Sequence, residues 1–311
     1  MRFELDWLRS WVEVVDSGGF ARAAARIHLS QPRVSAHVAR LENELGRQLI
    51  DRKARPLTLT EDGVRLLPRA RAILSAVEDT VADMRTSSDT LAGRLTIASF
   101  ASASSEYLPN LLAQLRIGNP LLEVAVIDGD VQSIEAVLTE RRAAVAIRPF
   151  RPEPVDRDLS FRGLWRESFV VLAPSGHPLL ARDAVSLEQV VTYPVITIGD
   201  PLGHPTLGYE AWSALRSSRV RPNVGIVSHQ PTTLAAMVRA GHGVGLVNQL
   251  AAAMVRTDGL EQRPVVNQFL YRDVGVWWRA DRPLSRTAHA FVQLALSSRR
   301  PPGTQSIDTS G

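Results

Sequence analysis

Alternating β and α segments after residue 92, an apolar repeat between Leu67 and Met84, and three short helical stretches before Gly46 predict an α/β protein. It carries a small all-α head on a long helix. The expected divisions are 1–60 for the head, 61–91 for the helix, 92–298 for the α/β part and 299–311 for a tail. A chain of 311 residues, 45% of them hydrophobic, can build two or three cores. Its net charge is only +4, and residues 1–60 hold ten Lys and Arg against seven Asp and Glu, or +3. Without cysteine, disulfides, zinc–thiolate sites and thiol chemistry are excluded. With no N-terminal apolar leader and no 18-residue apolar run, a cytoplasmic protein without a membrane partner is expected.

In the head, Leu5, Leu8, Val12 and Val15 recur at helical spacing and predict a first helix over 6–16, stopped by Ser17-Gly18-Gly19. Ala23, Ala24 and Ile27 give a second helix a thin apolar face that another helix can approach closely. Ser30 is a good N-cap, and Pro32 lies in the next helix's first turn, where a missing N–H costs little. Val34, Val38, Leu41 and Leu45 mark the buried stripe of helix 31–45, which Gly46 ends. Gln31, Arg33, Ser35, Ala36, His37 and Arg40 are left to face outward, and Arg52-Lys53-Ala54-Arg55-Pro56 reads as a basic hairpin. That order of elements is a helix-turn-helix with a wing. A helix fits the DNA major groove, where Gln can bond adenine and Arg guanine in bidentate fashion. An ordinary solvated helix face is the alternative.

Ser30-Gln31-Pro32-x-Val34-Ser35-x-x-Val38-x-x-Leu41-Glu42-x-x-Leu45-Gly46, followed by Leu49-Ile50-Asp51-Arg52, resembles the N-terminal signature of LysR-type transcriptional regulators. The resemblance runs from Leu8 to about Ala295 and is densest before residue 70. It implies that Gln31, Pro32 and Ser35 meet bases while the wing residue Arg55 enters the minor groove. Arg33, Ala36, His37 and Arg52 complete the expected DNA-binding set. Arg33, Ala36 and His37 depart from the residues common in the family, so a relative's operator sequence does not carry over.

Thr60-Glu61-Asp62 offers an N-cap with acids in the first turn. Leu67, Ala70, Leu74, Val77, Val81 and Met84 then step by 3 and 4, the seam of a coiled coil. Packing on the helix's own domain is the alternative, since only three heptads are present. Pro68 should bend or weaken the first turns. The resemblance implies that this linker helix pairs two subunits and that effector-domain contacts make a homotetramer.

Strands are expected at Leu95–Ser99, Val124–Asp128, Ala144–Ile147, Phe169–Leu172, Pro194–Ile198, Val224–Val227, Gly245–Val247 and Gly275–Trp278. Helices are expected at Leu108–Leu115, Ile134–Leu138 and 285–297. By resemblance this is a two-lobed, periplasmic-binding-protein-like effector domain, with lobe I at about 92–163 and 268–298 and lobe II at about 164–267. Arg299 onward, rich in Pro, Gly, Ser and Thr, reads as a disordered tail.

Ser99-Phe100-Ala101-Ser102-Ala103-Ser104-Ser105 leads from a strand into a helix, where hydroxyls and free N–H groups suit a carboxylate. A Ser-rich capping loop with no ligand is the alternative. Ser99, Ala101, Ser102, Ser104 and Gly129 of lobe I, with Thr197, Gly199, Val247 and Asn248 of lobe II, are the candidate effector residues. His204, His229 and His242 show no metal spacing, and His177-Pro178-Leu179 reads as a turn rather than a catalytic base. Gly241-His-Gly243-Val-Gly245 runs into a strand rather than from a strand into a helix, the wrong order for a dinucleotide site.

Two readings follow. One is a homo-oligomeric transcription regulator, not an enzyme and without a cofactor, whose partners are double-stranded promoter DNA, a small anionic effector, its own copies and RNA polymerase. The other makes residues 92–298 a solute-binding module or enzyme that the head merely oligomerises. The recognition helix and wing favour the first, because an oligomerisation head has no use for Gln31, Arg52 and Arg55 on one surface.

Overall fold

The computed structural model describes residues 3–54, 56–84, 90–199, 211, 223–256, 258–266 and 270–307. The chain forms two compact units, residues 1–94 with 139–142 and residues 95–138 with 143–311.

The N-terminal unit holds α1 (Leu5–Ser17), α2 (Phe20–Arg26), α3 (Gln31–Leu45), the two-stranded wing β1 (Ile50–Asp51) and β2 (Thr58–Leu59), and α4 (Glu61–Met84). Leu8, Trp11 and Val14 of α1 close on Ala23 of α2 and on Val34, Val38 and Leu41 of α3. Gly18 and Gly46 end α1 and α3 in the left-handed conformation, at φ 68° and 63°.

One buried acid fixes the wing to the helices. The Glu42 carboxylate accepts from the backbone N–H groups of Leu49 (2.9 Å) and Ile50 (3.3 Å) and from the Arg52 guanidinium (2.9 Å). Two N–H groups that enter the core with Leu49 and Ile50 thereby find a partner.

The 67–84 repeat is divided between two environments. Leu67, Ala70 and Leu74 close the head's own core, while Val81 and Met84 are 44% and 81% exposed. Over so few turns a 3.5-residue stripe and a 3.6-residue stripe cover nearly the same helix face, so the first half serves the head. Ile73 and Val64 are also exposed. The helix runs through Pro68 without interruption.

The second unit is built on β3 (Ala92–Ser99), β4 (Leu121–Asp128), β5 (Val145–Pro149), β6 (Leu159–Pro174), β7 (Val185–Ser186), β8 (Val195–Ile198), β9 (Val224–Ser228), β10 (Val244–Asn248), β11 (Leu260–Val266) and β12 (Tyr271–Arg279). Its helices are α5 (Ala101–Glu106), α6 (Leu108–Arg116), α7 (Val131–Thr139), α8 (Leu187–Val190), α9 (Pro231–Arg239), α10 (Gln249–Ala253) and α11 (Arg286–Ser297). The strand order is β4-β3-β5-β12-β6-β10-β8-β9, with β11 on β6 and β7 on β11. Strands β3 and β5 are parallel, as are β10, β8 and β9, while β12 runs antiparallel to β5 and β6. The long β6 belongs to both halves. Residues up to Ser168 pair with β12, and Phe169–Pro174 pair with β10 and β11. Two lobes therefore share one continuous strand.

The tail departs from its composition. Pro301 is buried, and Gln305 exchanges two 2.8 Å backbone hydrogen bonds with Arg166 of β6. A strand edge offers unpaired N–H and C=O groups, and that supplies what a Pro- and Ser-rich segment cannot generate by itself. Residues 308–311 lie outside the described residues.

Replacing Glu42 by Ala strands two core N–H groups, and each buried unpaired donor costs about 1–3 kcal/mol. The E42A head should unfold at distinctly lower urea with the slope unchanged, and an unaltered midpoint would show that the wing does not depend on this carboxylate.

Candidate nucleic-acid interface and effector cleft

Helix α3 starts at Ser30, whose Oγ accepts from the Arg33 N–H at 3.4 Å. Gln31, Pro32, Arg33, Ala36 and Arg40 are exposed along its outer face and Ser35 is half-buried. Among the described residues no acid pairs with Arg33 or Arg40. His28, in the turn before α3, holds φ 53°, and Leu29 N–H closes that turn on the Ala24 carbonyl at 3.0 Å.

His37 does not belong to that face. It is buried at 7% exposure, and its Nδ1 lies 2.8 Å from the Ser10 Oγ of α1. Position 37 falls next to Val38 and one turn after Val34 on the helical wheel, so it turns toward α1. The polarity that suggested an outward residue is instead satisfied by a neighbouring hydroxyl. Arg52, half-exposed, is tied to Glu42 and braces the wing base. Arg55 lies outside the described residues.

In the second unit, matching backbone hydrogen bonds tie neighbouring strand ends in each lobe. In lobe I the Gly129 N–H donates to the Ser99 carbonyl at 3.0 Å, and in lobe II the Gly199 N–H donates to the Ser228 carbonyl at 3.1 Å. Asp130 and His229 follow two of these strand ends, ahead of α7 and α9. Asp130 accepts from Ser133 N–H (2.7 Å) and Ser133 Oγ (2.6 Å). Partial burial pushes the Asp130 carboxyl up, but the Ser133 bonds and the charge of His229 outweigh it and hold the group below the usual range. His229 thus acts on an acid of the opposite lobe.

Several candidate groups are already engaged. The Thr197 hydroxyl donates to the Leu246 carbonyl (3.1 Å), and the Asn248 Oδ1 accepts from Ala251 N–H (3.2 Å), capping α10. The Gly129 and Gly199 N–H groups are used in the cross-strand bonds to Ser99 and Ser228. The Ser105 hydroxyl donates to Glu106 (2.8 Å) on the exposed side of α5. Ser99, Ser102 and Val247 are buried, and Ala101 is half-buried. The Ser104 Oγ is buried and has no hydrogen-bond partner among the described residues.

At the lobe junction stands a group that periodicity did not reveal. Glu167 of β6 is buried and accepts from Arg272 Nε of β12 (2.7 Å) and from the Leu250 N–H of α10 (3.0 Å). The Arg272 guanidinium lies over the Phe100 ring at 4.3 Å, just before α5. One ion pair thus joins both lobes. A charged residue inside each of two strands was the available signal. Among the described residues no group of three His, Asp or Glu could hold a metal ion, and no helix is long and apolar enough to cross a membrane.

The family profile described as "Bacterial regulatory helix-turn-helix protein, lysR family" matches residues 5–64, and the one described as "LysR substrate binding domain" matches residues 88–300. The chain belongs to the LysR family of transcriptional regulators. It is similar to the uncharacterized HTH-type regulator YbhD of Escherichia coli, at 26% identity over 96% of this chain and 92% of that one. It is also similar to the probable regulator LrrA of Synechococcus elongatus, at 30% identity over 78% of this chain and 80% of that one. A full-length OxyR variant from Pseudomonas aeruginosa shares its fold at a TM-score of 0.72 and 22% identity, covering 96% and 99% of the two chains. CbnR in complex with its target DNA does so at 0.66 and 20%, covering 94% and 100%. The LysR chain described here is a DNA-binding regulator with a substrate-binding domain, and its family is not one of enzymes.

Proposed function

We propose that the regulator reads promoter DNA through the exposed start of α3, with Gln31, Arg33 and Ser35 at base edges, Pro32 and Ala36 against the groove wall and Arg52 and Arg55 on the wing. The observation that carries this is the outward row Gln31–Arg33–Ala36–Arg40, on a helix whose other face is closed by α1. Arg33 has no acid partner among the described residues, so its guanidinium keeps its donors for guanine or phosphate. CbnR, of the same fold, has been solved with its target DNA, which supports the reading. RNA polymerase at the same promoter, in the cytoplasm, is the downstream partner it implies.

Two copies would pair through the outer face of α4, where Ile73, Val81 and Met84 are exposed. Apolar side chains of that size on one long helix favour a second helix over water. Two heads then meet two half-sites whose centres lie about 34 Å apart or at multiples of that spacing. Contacts between effector domains would extend the pair to a tetramer.

The effector is a small organic anion held between the lobes, a reading supported by the unpartnered Ser104 hydroxyl and the two helices, α5 and α10, that begin at the lobe junction. With Thr197, Gly199 and Asn248 committed to internal bonds, lobe I carries most of the polar recognition, through Ser102, Ser104 and the first N–H groups of α5. No thiol can serve as the sensor. A ligand shifts such a two-lobed equilibrium only by binding one state better.

Gln31→Ala should weaken binding to the selected operator by about 1–3 kcal/mol and binding to random duplex far less. His37→Ala, by contrast, should lower the unfolding midpoint while leaving the ratio of specific to random binding unchanged. Equal losses on both DNAs for Gln31→Ala would reduce that residue to a positioning contact.

Thermal-shift screening of mono- and dicarboxylates should raise the midpoint of the parent chain, and Ser104→Ala should reduce the shift for the same compound. A neutral compound that stabilises both proteins alike would move recognition away from an anion at α5.

A further inference from the structure

The segment after α11 reaches back across the junction of the lobes. The LysR substrate-domain profile stops at residue 300, so the segment beyond it is not part of the matched family domain. Strand β6 has β12 on one edge and β10 on the other. On the β10 edge, the last pair is Asn248 with Phe169, after which β10 turns into α10. The β6 edge would be bare from that point toward lobe I. Gln305 fills it, with Arg166 N–H donating to the Gln305 carbonyl and Gln305 N–H donating to the Arg166 carbonyl, both at 2.8 Å.

The contacts on either side extend the hold. Ile307 lies over Gly163, where an added Cβ would come within 3.1 Å of its Cδ1. Gly303, at φ 78°, sits against Gln249 of α10, and a Cβ there would come within 3.2 Å of the Gln249 side chain. Pro301 is buried, and the Thr304 hydroxyl closes a turn on the Pro301 carbonyl at 2.7 Å. The segment therefore leaves α11 in lobe I, touches the start of α10 in lobe II and pairs with the shared strand between them.

We propose that residues 299–307 form a third strand of the hinge, a strap that limits how far the lobes rotate about β6 and β12. Two strands can twist about each other at little cost. A third segment anchored to lobe II at Gln249 and to the crossover at Arg166 must break two backbone hydrogen bonds, or drag α10, before the lobes swing apart. The strap restrains the lobes with or without an effector, so it does not depend on the identity of the cleft ligand.

The lack of native cysteine allows a direct test. Gln132→Cys in α7 and Thr233→Cys in α9, both exposed, place one spin label on each lobe of the full-length protein. With the strap intact the interlabel distance distribution should be narrow. Deleting 299–311, and separately Gln305→Pro, which removes the donating N–H, should each broaden it, and backbone amides of Arg272–Val274 should exchange about tenfold faster or more. Should the deletion fail to fold, Gln305→Pro decides alone. Unchanged distances and unchanged β12 exchange in the folded variant would reduce the segment to an edge cover and overturn the proposal.

Discussion

Strand β6 is the constraint on which the effector domain depends, and Glu167 is the point where that constraint is tightest. A strand that serves two lobes must pass from one core to the other, and the crossing is where a sheet is thinnest. Glu167 is buried there and ties β12 through Arg272, α10 through the Leu250 N–H, and the Phe100 turn through the guanidinium stacked on its ring. Removing one partner of a buried pair costs about 3–5 kcal/mol because it strands the other charge, so Glu167 and Arg272 cannot be changed singly without loss. Arg166 Nε and Nη2, donating to the two Asp273 carboxylate oxygens at 2.6 and 2.8 Å, brace the opposite face at the neighbouring rung.

The head solves a related problem on a smaller scale. Three short helices cannot bury much surface, and the wing has only two residues in each strand. Glu42 supplies the missing order by receiving the wing's backbone donors, and the first half of α4 contributes Leu67, Ala70 and Leu74 to the same core. The linker helix is thus part of the DNA-binding unit for half its length. Leu67, Ala70 and Leu74 of α4 thereby share one core with α1 and with the buried face of α3.

How much could be read from the residues depended on whether a signal was local. Caps and periodicity placed α1, α3 and the alternating strands, because Ser30, Gly46 and the 3–4 spacing act within a few residues of themselves. His37 was misplaced because its partner, Ser10, is 27 residues away and invisible to a helical wheel. Residues 299–307 were misplaced for a similar reason: Pro, Gly and Ser predict no strand, and the segment makes only a local turn at Pro301–Thr304, but β6 offers an edge. The candidate effector residues show a third limit. Thr197 and Gly199 stand at strand ends as expected, yet their donors go to Leu246 and Ser228. Residue type and strand position cannot tell a hydroxyl that awaits a ligand from one spent within the sheet. Glu167 and Arg272 escaped notice because each looks like an ordinary charge until the two strands are laid side by side.

Whether two copies of this chain read a defined DNA sequence through α3 is decided by footprinting the full-length protein on duplexes enriched from a random pool. One recovered motif is expected, with two protected half-sites in major grooves on one face of the duplex, spaced by whole turns of about 10–10.5 base pairs. Recovery of no motif, with protection spread evenly along the duplex and lost with salt alone, would contradict it.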